Sequence, residues 1–153
     1  MDKKKKNNFI FELNEMINQW VNGRCLFQGG CCFAAYGLAW YLSKLGIKYN
    51  TVLFQYLDIL NSRKFSTAIN GKGVCHVAIE VTYKHKKFLI GRCDGIYNYF
   101  KEYGYKYKVR RYRNITPENL LDGYMCNEWN WMWNTDNNQK LLEDIKKIAE
   151  KYY

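Results

Sequence analysis

The sequence predicts an α+β domain in which helices flank a short antiparallel sheet, and three observations predict it. Apolar residues recur at helical spacing near both ends of the chain and once in between. A run in the middle, Val74 to Tyr83, alternates apolar and polar residues as a half-buried strand does, and a short polar stretch joins it to a second run as a hairpin loop would. The 153 residues hold one proline and no linker-like stretch, so residues 1–153 are expected to fold as one domain. A chain of that length buries roughly two thirds of its unfolded surface.

Residues 1–8, with the run Lys3 to Lys6, are expected as a flexible basic tail. Ile10, Leu13, Ile17 and Trp20 then form one stripe of a helix ending by Gly23. Cys32 to Leu45 reads as an apolar helix with Ala35, Leu38, Leu42 and Leu45 on one face, and Gly46 can end it in a left-handed conformation. Thr51 to Leu57 is a β-rich run and the first strand, Tyr56 to Leu60 has some helical character, and Ser62 to Gly73 is a polar loop. From Val74 to Tyr83, Val77, Ile79, Val81 and Tyr83 alternate with His76, Ala78, Glu80 and Thr82. Phe88 to Asp94 is the returning strand of a hairpin. Thr116-Pro117-Glu118 carries the cap and first-turn proline of a short helix through Leu121. Asn138 to Tyr153 is a terminal helix with Leu141, Ile145, Ile148 and Tyr152 inward.

The chemistry concentrates in the centre of the chain. Cys31 and Cys32 follow Gln28-Gly29-Gly30 and open the apolar helix. The positive end of the helix dipole favours a thiolate there, and a protonated imidazole nearby lowers a thiol pKa further. His76 is the candidate base, because the other histidine, His85, lies in the lysine-rich turn. With that turn centred near residue 85, Asp94 falls opposite or nearly opposite His76, and directly opposed side chains are roughly 4.5–5.5 Å apart at Cβ. A carboxylate at that distance holds one ring nitrogen and aims the other at a thiol. Gly30 lets backbone amides approach a substrate closely. The Cys32 amide, unpaired at a helix start, is the main donor to an oxyanion.

At Gly29-Gly30-Cys31-Cys32-Phe33, Gly37-Leu38 and Leu45-Gly46 the chain resembles the papain-like superfamily, most closely its transglutaminase-like and arylamine N-acetyltransferase-like branch. That branch has the order Cys at a helix start, His on one strand and Asp on the next, here Cys32, His76 and Asp94. An aromatic and an alanine after the nucleophile, as in Cys32-Phe33-Ala34, are similar to papain-like enzymes, and an upstream glutamine in those enzymes implies that Gln28, at a shorter separation, donates its amide to the oxyanion, the alternative being a turn residue that caps its own loop. The resemblance spans about residues 28–98. It implies a papain/transglutaminase-like fold and a peptidase, amidase or transglutaminase-like enzyme that cleaves or transfers an amide or acyl bond of a protein or peptide. Counting back from Gly46, Cys31 fits the family spacing and Cys32 is one residue short, so both stay open as nucleophile.

No coenzyme A signature is present, and no cofactor is expected. Cys31, Cys32, Cys75, Cys93 and His76 are zinc-ligand types, but there is no Cys-x-x-Cys pair and adjacent cysteines do not easily share one tetrahedral ion, so no metal is expected. The six cysteines are expected to be reduced in a cytoplasm, since an amphipathic helix rather than an apolar signal core follows the first residues. No run reaches membrane-spanning length.

The net charge of +10 and the basic, aromatic run Tyr103 to Arg113 suit phosphate contacts and stacking, yet an exposed strand whose lysines discourage edge pairing is the better account of that run. Nucleic acid is a possible partner and not the favoured one. Trp129, Trp131 and Trp133 either cover the core or wall the groove beside Cys32. The alternative to an enzyme is a binding protein of viral or phage type that keeps the fold and meets an acidic protein or nucleic acid through its basic surface.

Overall fold

In a computed structural model, the structure describes residues 1–24, 30–56, 74–90, 102, 104, 107–120 and 136–153. The described elements are α1 (Lys3–Arg24), α2 (Gly30–Lys44), β1 (Tyr49–Tyr56), β2 (Val74–Tyr83), β3 (Lys86–Ile90), β4 (Tyr107–Arg113), a helical turn at 117–120 and α3 (Asp136–Glu150). The strands form one sheet in the order β3-β2-β1-β4, with every neighbouring pair antiparallel. The fold is therefore α+β, as the alternation and helical stripes predict. Among the described residues, no helix is long and apolar enough to cross a membrane.

Each helix forms for a local reason. The Asp2 carboxylate accepts from the Lys5 amide at 2.9 Å, capping α1, and that bond holds the Asp2 carboxyl below its ordinary pKa. The run 1–8 is thus not a tail: α1 begins at Lys3, because the cap satisfies its first turn and Phe9 and Ile10 are fully buried just beyond. At the other end of α2, Gly46 has φ +69°, its amide donates to Ser43 and the Ile47 amide donates to Leu42. Those two bonds with Ile47 packed beside Leu42 make a Schellman cap. Thr116 Oγ1 accepts from the Asn119 amide at 3.1 Å, and Asn119 Oδ1 accepts from the Thr116 amide at 3.3 Å, so the turn at 117–120 has a reciprocal cap ahead of the buried Leu120.

The core divides between the two faces of the sheet. On one face Leu53, Val77, Ile79, Val81, Ile90 and Tyr112 pack with the stripes of all three long helices. Of the expected inward residues, Ile10, Leu13, Ile17, Trp20, Ala35, Leu38, Leu42, Leu141 and Ile145 are buried there, while Leu45, Ile148 and Tyr152 are partly buried against them. The opposite face holds a second cluster, Val52, Phe54 and Ala78, with Leu89 and Val109 packed against it. At Gly37 α2 packs directly on α3, since a Cβ there would lie 2.8 Å from Ile145 Cδ1 and 2.9 Å from Leu142 Cδ2.

Candidate active site

The first turn of α2 carries the thiols. Gly30 opens the helix and Cys31 and Cys32 are its second and third residues, in the stretch where backbone amides have no intrahelical partner. No acidic residue shares that turn, so the dipole's positive end is not neutralised there. The helix is about 22 Å long at 1.5 Å per residue, comparable with β1. Only Leu45 to Lys48 separate it from β1, and Ser43 Oγ lies 3.5 Å from Tyr49 Oη. The helix therefore folds back over the sheet, and its N-terminus lies toward the end where β1 finishes and β2 begins.

His76 stands at that same end, third in β2 and opposite Phe54. It is half-buried, with its ring centroid 5.4 Å from that of Phe54. The ladder is irregular beside it: Phe54 pairs with His76 but Gln55 pairs with Val74, so Cys75 is an extra residue in β2. Such bulges bend a strand and re-aim its side chains. The polar position read for His76 from alternation is the one observed, and it is the face opposite α2, because Val77 and not His76 shares the core cluster with that helix.

The hairpin differs from expectation. Its turn is Lys84-His85, both with positive φ (47° and 69°), and Tyr83 pairs with Lys86 and Val81 with Phe88. As far as it is described, this register runs one residue ahead of that of a turn centred near residue 85. The physical reason is a two-residue turn that lets the ladder close fully, with Tyr83 and Phe88 stacking at 5.2 Å beside it. The described ladder ends at Ile79 opposite Ile90. Asp94, Gln28, Trp129, Trp131 and Trp133 lie outside the described residues, as do Cys25, Cys93 and Cys126.

Away from the thiol end, the His76 face carries a polar network that the alternation alone did not mark as special. Glu80 is 3% exposed, accepts from Arg111 Nε at 3.0 and 3.1 Å, and accepts from Asn50 Nδ2 at 3.1 Å. The signal in the sequence was a lone carboxylate inside a β2 run that is otherwise apolar or neutral, facing a basic strand two places away in the sheet. That strand, β4, is at the sheet edge, and Arg111 is engaged with Glu80. Among the described residues, no group of three or more His, Cys, Asp or Glu side chains is placed to hold a metal ion.

Compared with known proteins, the chain matches no family model, no curated protein and no solved structure.

Proposed function

We propose that the chain is a cysteine-nucleophile enzyme acting on an amide or related acyl bond of a protein or peptide, on a minimal papain/transglutaminase-like variant of its α+β fold. The observation that carries this reading is the pair Cys31-Cys32 in the first turn of α2, at the same end of the domain as His76 and its bulge. One thiolate, Cys32 or Cys31, attacks the acyl carbon, and helix-start amides hold the oxyanion. Collapse of the tetrahedral intermediate expels the amine, which takes a proton from the His76 imidazolium. Water or a second amine then resolves the thioester, with His76 accepting its proton and the sulfur leaving as thiolate, which restores the starting pair. Asp94 is the proposed orienting acid. The reduced thiols this requires suit a cytoplasmic setting.

The binding-protein reading has one observation in its favour, the placement of His76 on the sheet face away from α2. Iodoacetamide labelling near pH 6 with peptide mapping separates the two. The enzyme reading expects Cys32 or Cys31 to react at least about tenfold faster than Cys25 and Cys126, and His76→Ala to remove that advantage. Uniform rates across all six thiols would sink it and leave the binding protein, whose partner binding survives Cys31→Ala and Cys32→Ala.

A further inference from the structure

On the sheet face away from the helices, at the end remote from His76, a cleft of about 130 Å³ opens between the start of β1 and the β2–β3 hairpin. Lys48, Asn50, Glu80, Thr82 and Lys87 line it. Lys48 is anchored between the buried Ile47 and Tyr49, whose hydroxyl donates to the Ile115 carbonyl at 2.5 Å. Lys87 is paired in register with Thr82. The two lysine backbones belong to β3 and to the β1 entrance, two strand spacings or roughly 10 Å apart, with Thr82 between them. Long stems let both ammonium groups converge over that threonine.

Among the described residues, the charged groups of the cleft that lack an ion-pair partner are both cations. Glu80, its one carboxylate, is already bound by Arg111 and Asn50. Lys48 and Lys87 are exposed and have no ion-pair partner among the described residues. Thr82 is exposed, and its hydroxyl can donate. Arg113, opposite Asn50 in the sheet, adds positive charge along the same face. Two ammonium groups and a hydroxyl able to reach a space of this size complement one tetrahedral dianion. They do not complement a second carboxylate as well, since a carboxylate is planar and carries half the charge.

We infer that this cleft binds a terminal phosphate, a phosphomonoester dianion, between Lys48 and Lys87. It lies about 20 Å along β2 from His76, so it is a site of its own and stands whether or not the thiol chemistry does. The volume admits the phosphoryl group and leaves the rest of the ligand outside. A phosphodiester offers one negative charge to two cations and fits less well.

Amide NMR titration of the whole chain tests the inference, with a thymidine tetranucleotide carrying a 5′-phosphate and its unphosphorylated counterpart, both at fixed ionic strength. The phosphorylated form is expected to shift Asn50, Val81, Thr82 and Lys87 saturably and to bind at least about tenfold tighter than the other. Lys48→Ala and Lys87→Ala, both exposed positions, should each weaken it roughly five- to tenfold with the other amide signals in place. Affinity should also fall between pH 7.5 and pH 5, as a phosphomonoester with a second pKa near 6 becomes a monoanion. Equal binding of the two oligonucleotides, or binding indifferent to both lysine variants, would overturn it.

Discussion

Replacing Glu80 by glutamine keeps the shape of a side chain that is 3% exposed and removes its charge. The carboxylate accepts twice from Arg111 Nε and once from Asn50, and glutamine can keep no more than one oxygen for those donors while turning an N–H toward the other. A hydrogen bond to a charged group contributes about 1.5–3 kcal/mol net. The Arg111 side chain is 47% exposed, so water screens much of its half of the pair and the expected loss is about 1–2 kcal/mol. For 153 residues that corresponds to a fall in Tm of roughly 3–6 °C. Thermal unfolding by circular dichroism reads it directly. Arg111→Met alone should be worse than its lost contact, because it strands a buried carboxylate, whereas Glu80→Leu with Arg111→Met should recover most of the loss. Additive losses in the double variant, or an unchanged Tm in Glu80→Gln, would refute the claim that the pair is coupled and contributes to stability.

Three further outcomes are expected. Gly37→Ala should lie within about 1 kcal/mol of wild type in urea unfolding, since the gain in helix propensity offsets contacts that fall on the flexible ends of Ile145 and Leu142, while Gly37→Val should lose about 3 kcal/mol by forcing α2 off α3. Gly46→Ala should lose about 1 kcal/mol for a different reason, as nothing lies within 4 Å and only the positive φ resists the change. Burial and then the bond to Glu12 push the Tyr152 phenol up to about 12 from 10.0, so its contribution is complete below pH 10 and disappears as pH climbs through 12; Tyr152→Phe should flatten that alkaline decline in stability curves taken at successive pH values.

Much of the fold was legible because it depends on periodicity. The stripe of Ile10, Leu13, Ile17 and Trp20 could bury only as a helix, and Gly46 marked the end of α2 by chemistry that no other residue type supplies as well. The alternation around Val77 and Ile79 likewise assigned β2 and both of its faces correctly. The hairpin register was not legible, because Lys84-His85 lacks the Asn-Gly or Gly-Gly pattern that announces a two-residue turn with positive φ. Nor was the start of α1: four lysines resemble a solvated tail until Asp2 is recognised as their cap. The helix-start position of Cys31 and Cys32 followed from local sequence. Whether α2 covers the sheet face that carries His76 did not, since that depends on how the helix packs on the sheet.

The partners of α1 lie at the far end of the sequence. Trp20 Nε1 donates to Asp144 at 2.9 Å, and Glu12 holds both Lys151 and the Tyr152 hydroxyl. During synthesis from the N-terminus, at roughly 5–20 residues per second, α1 is therefore made on the order of ten seconds before the helix that satisfies it. Its apolar stripe must wait in the open, so the last helix decides when the first one is safe from aggregation. Any change that slows or removes α3 should surface first as loss of soluble protein, ahead of any change in chemistry at the far end of the sheet.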